Sequence, residues 1–317
     1  DAEEKGERVL VLGGGSNVVI ADAGFQGLVV RVASRGVEVN KEGGRVRVRV
    51  AAGEDWDPLV ERSVHEGWRG IECLSGIPGL VGATPIQNVG AYGQEVKETI
   101  VEVRAFDRQA RAMTDLDNAA CGFGYRASVF RGRERFVVTS VTFSFEEATD
   151  SGPVRYAELA RALDVREGLT APIREVRAAV LVLRAKKGML IDARDPDAVS
   201  VGSFFVNPTL TRSELGALER RVAEAGVLRI GDALPRFAFG EGRWKVSAAW
   251  LVERAGFAKG FGTGRVGVSS KHALALVHRG HGSTRELLEL ARAIRDGVRS
   301  RFGVELSPEP MFVGCQL

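Results

Sequence analysis

Cysteine is scarce in this chain, and no two cysteines are paired by spacing. Cys73, Cys121 and Cys315 are odd in number, far apart, and form no CxxC pair. Such spacing builds neither a disulfide framework nor a thiolate zinc site, so a reducing cytoplasm is the expected setting. Histidine is as sparse: His65, His278 and His281 show no metal-ligand arrangement, and no metal site is expected. No apolar run approaches the length that crosses a bilayer, and the start of the chain carries no signal-peptide pattern, so membrane insertion is not expected. An excess of one charge is also absent, with 44 basic residues against 41 acidic ones and a net charge of +3. Nucleic-acid binders concentrate basic residues on one face, so no nucleic-acid partner is expected from this balance; no feature of the sequence implies a protein partner either. A local pocket for an anionic small molecule remains compatible with this balance.

The sharpest absence is local. The stretch GIPGLVGATPIQNVGAYG, Gly76 to Gly93, holds eighteen residues without a charge, five of them glycine and two proline. The chain as a whole is 27% charged, so this gap calls for a physical reason.

What is present is an ordinary globular chain of 317 residues, 44% hydrophobic, long enough for two or three domains with their own cores. Its opening DAEEKGERVL has no methionine, and N-terminal residues are expected to be missing or processed. The first half reads as strands and turns. RVLVL runs into glycines, GLVVRV (27–32) and RFVVTSVTFSF (135–145) are strand-like, and VRVRV (46–50) alternates as a half-buried strand does. Pro58 near its start and Gly67 near its end frame a helix between them.

The second half has clearer helices. Ile173, Val176, Val180 and Leu183 share one helical face that stops at Gly188. Thr211 with Glu214, and Ser283 with Glu286, form capping-box patterns. The first precedes Leu215, Leu218 and Val222; the second precedes Leu287, Leu290, Ile294 and Val298. A strand-rich half followed by a mixed half predicts α+β domains.

Two segments suit close approach of a ligand to the backbone. Gly13, Gly14, Gly15, Ser16 and Asn17 directly follow a strand, where glycine permits positive φ and successive N–H groups can bind phosphate. Neither the G-x-G-x-x-G fingerprint nor a P-loop is present, and a tight hairpin turn explains the same residues. The second segment is the charge-free stretch. A buried loop packed between sheets accounts for its glycines but not for Gln87, Asn88 and Tyr92 among them. Uncharged amides suit a polar neutral ring or a pyrophosphate read by hydrogen bonds.

With LGGGSNVV followed by GIPGLVGATPIQNVGAYG, the chain resembles the UDP-N-acetylenolpyruvoylglucosamine reductases, the MurB family, with type I features. YRASVF (125–130), VGSFFVNP (201–208), KVSAAWLVERAGFAKG (245–260), SSKHALALV (269–277) and SPEPMFVG (307–314) continue the match in the family's order. The resemblance implies an α+β protein with a vanillyl-alcohol-oxidase-type FAD-binding domain plus a MurB-type substrate-binding α+β domain. Residues 1–50 are expected to form a first FAD-binding subdomain, shortened at its N-terminus relative to the family, and 51–188 a second. Residues 189–304 are expected to form the substrate domain, and 305–317 a C-terminal strand carrying a catalytic glutamate.

The same resemblance implies non-covalent FAD, NADPH as co-substrate, and UDP-N-acetylglucosamine enolpyruvate as substrate. The cofactor contacts then fall on Gly13, Gly14, Gly15, Ser16 and Asn17, on Gly76, Ile77, Pro78 and Gly79, on Gly82, Ala83, Thr84 and Gln87, and on Asn88, Gly90, Ala91 and Tyr92. Ser203 corresponds to the family's proton donor. Arg126 corresponds to the arginine near the substrate carboxylate, and Glu309, between two prolines, to the acidic partner of the enolate. Glu305 is the neighbouring acid that this reading passes over. Tyr156 resembles the family's mobile-loop tyrosine. Tyr125, Lys187, Asn207, Lys245, Lys259 and His272 align with substrate-side positions.

Taken singly, each of these residues also has a plainer reading: a turn serine, a surface ion pair, a core tyrosine, solvated lysines, a satisfied structural histidine. The chain departs from the family in RFAFGEGRW (236–244), where Phe237 stacks but donates no hydroxyl hydrogen bond. Another FAD oxidoreductase of the same fold, or a flavin-free nucleotide-sugar binder, stays open on sequence alone.

Overall fold

A computed structural model describes residues 2–228, 232–262 and 264–317. Contacts gather the chain into two units. The first holds the leading stretch that ends at Gly15 together with Gln26–Leu190; the second holds Ser16–Phe25 and Ile191–Leu317.

The first unit is built on an antiparallel sheet ordered Ala112–Asp117, Ile100–Asp107, Phe136–Glu147, Arg45–Ala51 and Val37–Glu42. In Arg45–Ala51 the alternation reads directly as structure: Val46, Val48 and Val50 are fully buried while Arg45 and Arg47 face solvent. The buried face carries an aromatic row, Trp56–Phe143, Phe143–Phe145 and Phe145–Trp68, with centroids 6.0, 5.7 and 6.1 Å apart. Helix α1 (Trp56–His65) covers it with Trp56, Leu59 and Val60. A short helix α2 (Ala157–Ala162) packs with α3 (Ile173–Lys186), whose buried residues are Ile173, Val176, Val180 and Leu183. That is the predicted seam, and each such side chain contributes about 1.5–3 kcal/mol by leaving water. Gly188, at φ +64°, ends α3 as expected. Val9–Leu12 and Leu28–Arg31 form a separate parallel pair.

The second unit holds two three-stranded antiparallel sheets. One is ordered Ser200–Ser203, Ala275–His278, Val266–Val268; the other Thr209–Thr211, Arg243–Val246, Arg236–Ala238. Helices α4 (Arg212–Glu224), α5 (Ala248–Arg254) and α6 (Thr284–Phe302) pack on them. Both capping boxes form, Thr211 with Glu214 on α4 and Ser283 with Glu286 on α6. The buried seam of α6 runs through Leu288, Ala291, Ile294, Val298 and Phe302, while the expected Leu287 and Leu290 are only partly buried beside it.

The expected four-part division and the observed two-unit division differ, for reasons of strand pairing. Arg45–Ala51 pairs along its whole length with Phe136–Glu147, so residues on both sides of position 50 share one sheet. Met311–Val313 pairs in parallel with Val18–Ile20, which draws both the C-terminal strand and Ser16–Phe25 into the second unit.

Candidate functional sites in the two units

In the first unit the two glycine segments lie side by side. A Cβ built on Gly14 would stand 3.1 Å from Gly79 Cα, and one on Gly13 would meet Leu80 Cδ1 at 3.8 Å. Gly15 follows at φ +71° with nothing within 4 Å of its Cβ position. The charge-free stretch is anchored by backbone bonds: Trp56 N–H donates to Gly79 O, Val81 N–H to Glu54 O, and Gly82 N–H to Ala52 O, at 3.0, 2.8 and 2.9 Å. At Gly82 a Cβ would fall 2.5 Å from Ala52 Cβ, which explains why that position carries no side chain.

The segment YRASVF is stitched to the same stretch. Asn88 Nδ2 donates to Gly124 O at 2.9 Å, Arg126 Nη2 to Gly90 O at 2.6 Å, and Ser128 Oγ to Ile86 O at 2.6 Å. Gly90 leaves room for the guanidinium, since its Cβ would stand 3.1 Å from Arg126 Nη1. Arg126 itself sits at φ +51°, a left-handed conformation that is costly for a long side chain and clusters at functional sites. Its guanidinium carbon lies 5.5 Å from the centroid of the Tyr125 ring.

Several expected cofactor residues work for the loop itself. Asn88 is fully buried at φ +46°, donates also to Glu95, and accepts from the Lys97 N–H at 3.1 Å. Thr84 Oγ1 donates to Val81 O. Their side-chain groups are thus engaged inside the protein. Ile77, Pro78 and Gln87 are half-buried, Ala83 is exposed, and Gly90–Ala91 forms a short hairpin with Gln94–Glu95. Tyr92, at φ +49°, meets Tyr156 edge-on with centroids 5.5 Å apart, and burial pushes its hydroxyl up to about 12. Lys187 pairs with Glu158 and lies 5.5 Å over the Tyr92 ring.

One residue beside this group escaped the sequence reading. Arg184 donates through Nη2 to Met189 O at 2.7 Å, and its buried Nε finds no partner among the described residues. A Cβ on Gly76 would press on Leu190 Cδ2 at 2.5 Å and Leu181 Cδ2 at 2.8 Å, with that Nε 3.4 Å away. Burial works to lower its pKa by disfavouring the charge. An arginine on a helix with a polar face normally reads as solvated, so no sequence signal marked it. Closely packed glycine segments with open space at Gly15, and a buried unsatisfied guanidinium N–H, together fit an anionic cofactor such as FAD.

In the second unit Ser203 ends the strand Ser200–Ser203, just after Gly202 at φ +77°. Its Oγ lies 3.2 Å from His272 Nε2. Phe204 and Phe205 are buried behind it, with centroids 5.1 Å apart. The C-terminal segment runs alongside: Val206 N–H donates to Ser307 O and Glu309 N–H to Phe204 O, at 3.0 and 2.8 Å. Glu309 is half-buried whereas Glu305 is exposed. Ser203, His272 and Glu309 thus share one patch of the unit.

The turn Ser269–His272 hangs on Asp197, which sequence reading also missed. Asp197 Oδ2 accepts from Ser269 Oγ, Ser270 N and Ser270 Oγ at 2.8, 2.8 and 2.7 Å. Burial works to raise its pKa, but the hydrogen bonds from Ser270 and Ser269 outweigh it and hold the carboxyl below its ordinary value.

The remaining substrate-side expectations are scattered over the unit. Asn207 Oδ1 accepts from the Ala248 N–H at the start of α5. Lys245 Nζ lies 4.4 Å from the Phe239 ring centroid and stands opposite Phe237, which is 55% exposed. Lys259 is exposed in the turn beyond α5. Ser16 and Asn17 belong to this unit, where Asn17 O accepts from the Met311 N–H.

Residues 1–114 match the FAD binding domain family, and residues 195–313 match the UDP-N-acetylenolpyruvoylglucosamine reductase, C-terminal domain family. The class so defined is that of the FAD-dependent oxidoreductases. The chain is 52% identical over 318 residues to a UDP-N-acetylenolpyruvoylglucosamine reductase of Thermobifida fusca, covering 100% of this chain and 89% of the relative. It is 54% identical over 321 residues to one of Salinispora arenicola, covering 100% and 87%. It therefore belongs to the UDP-N-acetylenolpyruvoylglucosamine reductase family. The crystal structure of the MurB reductase from Thermus caldophilus shares the fold, with a TM-score of 0.63 at 23% identity over 98% of this chain and 88% of that one.

Proposed function

We propose that this chain reduces UDP-N-acetylglucosamine enolpyruvate to UDP-N-acetylmuramate, with NADPH as reductant, at the precursor stage of peptidoglycan synthesis in the bacterial cytoplasm. The observation that carries this reading is the chain-long identity of about half to reductases of that name. FAD, when bound, carries a hydride between the nicotinamide and the enolpyruvyl double bond.

The chain's own residues hold the reactants and manage charge and protons. The glycine segments at 13–15 and 76–93 admit the cofactor to the backbone, and the buried Arg184 supports its anionic part. Arg126 holds the substrate carboxylate with a forked, permanently charged group. Glu309 assists as negative charge develops on the substrate. Ser203 Oγ gives the proton that completes the new C–H bond. The two buried phenylalanines after it keep that strand end in place. Tyr156, Lys187, Lys245 and Lys259 serve the UDP end.

The test is an anaerobic spectrum. The purified protein should be yellow, and acid precipitation should release the colour into solution. NADPH should bleach the flavin band, and the UDP-sugar should restore it. Bleaching without restoration by this substrate would point to another oxidoreductase of the same fold. A colourless protein that takes up no added FAD would reject the flavoenzyme reading altogether.

A further inference from the structure

We propose that His272 is the proton relay behind Ser203, restoring the serine proton in each turnover. The inference rests on Ser203 being the proton donor. That role carries a chemical difficulty. A serine that surrenders its hydroxyl proton is left as an alkoxide, a base far too strong to persist near neutral pH. The transfer is efficient only when a second acid stands within hydrogen-bond reach of the same oxygen. His272 Nε2 stands there, 3.2 Å from Ser203 Oγ. Histidine is the side chain whose ordinary titration range suits a relay at neutral pH.

The surroundings fix the backbone turn that carries the imidazole. The backbone N–H of His272 donates to Ser269 Oγ at 3.2 Å, and Ser269 Oγ donates to Asp197 at 2.8 Å. The turn is closed on its far side by Ala275 N–H donating to His272 O at 3.0 Å, and by Ser269 N–H donating to Ala275 O at 2.9 Å. Lys271 Nζ is tied to Asp195 at 2.8 Å. Asp197, Asp195 and Lys271 are therefore occupied in fixing the turn. Ser203 and His272 are both half-buried, so water reaches the imidazole. Asp197 is the positioning residue of this arrangement, because it reaches the proton path only through the turn.

The proton balance closes. The Ser203 O–H bond breaks as the C–H bond forms on the substrate carbon beside the carboxylate, and the O–H pair stays on Oγ. That pair takes the proton from His272 Nε2, whose N–H pair stays on the imidazole. Solvent then protonates the imidazole. No electrons are exchanged in these steps.

The test compares variants of the full protein, each checked for normal flavin content. Stopped-flow absorbance follows NADPH reduction and then reoxidation by the UDP-sugar. His272→Ala should slow reoxidation by about 10²-fold, the low end for a positioned acid. Reduction by NADPH and the KM for the UDP-sugar should stay within about threefold, the scatter of a residue outside those steps. His272→Gln keeps a hydrogen-bond donor but cannot pass a proton, and should be as slow as the alanine variant. In a Ser203→Cys background the His272→Ala effect should shrink below about threefold, because a thiolate persists without immediate reprotonation, giving strong non-additivity.

Nitrogen-15 spectra of the histidines should show the His272 Nε2 signal moving on Ser203→Ala, a readout independent of turnover. Full activity in His272→Gln, equal losses in the serine and cysteine backgrounds, or a raised KM with unchanged kcat would each overturn the relay. A slow Ser203→Ala with a normal His272→Ala would overturn the relay and leave the serine as donor. A normal Ser203→Ala would overturn the donor assignment itself.

Discussion

Gly14 and Ser203 occupy similar places in their respective units, at or just beyond the end of a short strand, yet they work in opposite ways. Gly14 matters for what it lacks: any Cβ would press on Gly79 Cα at 3.1 Å. Around it the first unit presents backbone, anchored by N–H to carbonyl bonds at Gly79, Val81 and Gly82. Ser203 matters for the group it carries, and around it the second unit presents side chains held by other side chains, His272 directly and Asp197 through the Ser269–His272 turn. A site made of bare backbone is sensitive to added volume. A site made of hydrogen-bonded side chains is sensitive to lost groups.

Substitutions of each kind sharpen that contrast. The largest effect is expected at Ser203. Ser203→Ala should slow substrate-dependent flavin reoxidation by roughly 10²–10⁴-fold, the usual worth of a positioned acid. Flavin content and NADPH reduction should be unaltered, since neither step uses that hydroxyl. An equal slowing of both half-reactions would break the division of labour between the units.

Gly14→Val is the mirror case and ranks next. An added isopropyl group beside Gly79 should weaken FAD retention by about 10–100-fold, the equivalent of a 1–3 kcal/mol overpacking penalty. The protein should still fold, because Gly14 lies outside the buried sheet core. Turnover per bound flavin should be close to that of the parent. Equilibrium dialysis with FAD measures the first quantity, and activity normalised to flavin absorbance the second.

Asp197→Ala should cost about 1–3 kcal/mol of stability, the range for stranding buried donors. It removes the shared acceptor of Ser269 and Ser270, and so should also slow reoxidation through the displaced His272 turn. A denaturant melt with unchanged slope and a lowered midpoint would agree with this. A variant as stable and as fast as the parent would show that the turn holds without its carboxylate.

The difference between the units also explains what was legible in the sequence. Periodicity and caps are local, so the α3 seam at Ile173, Val176, Val180 and Leu183 and both capping boxes could be read directly. The glycine stretches were legible because missing side chains and missing charge show in any alignment-free reading. The patch at Ser203 was not, apart from the family resemblance. The Asp197–Ser203 segment, His272 and Glu309 are far apart in sequence and acquire meaning only when strand pairing brings them into one unit. Arg184 and Asp197 are charged residues in polar surroundings, and only tertiary structure reveals their burial. The two-unit division turned on Val18–Ile20 pairing with Met311–Val313, a contact between the two ends of the chain that no local pattern encodes.

The smallest expected effect tests the anchoring of the backbone site. Asp57 accepts from Arg177 at 2.7 and 3.0 Å and from the Gly76 N–H at 2.6 Å, which ties the first residue of the charge-free stretch to α1. Burial works to raise the Asp57 pKa, but the Arg177 and Gly76 hydrogen bonds outweigh it and hold it below the ordinary 3.8. A carboxyl depressed on folding stabilises the folded state fully above its unfolded pKa, and that contribution disappears as pH falls through the folded value. The contribution of Asp57 should therefore be constant at neutral pH and fade only below about pH 4. Asp57→Asn should lower stability at pH 7 by about 1 kcal/mol, as expected for a partly exposed charged hydrogen bond, and should flatten the acid limb of the stability curve. Thermal melts between neutral pH and pH 3, on parent and variant, measure both. An acid limb of unchanged slope in the variant would mean that Gly76 is held by its backbone neighbours alone.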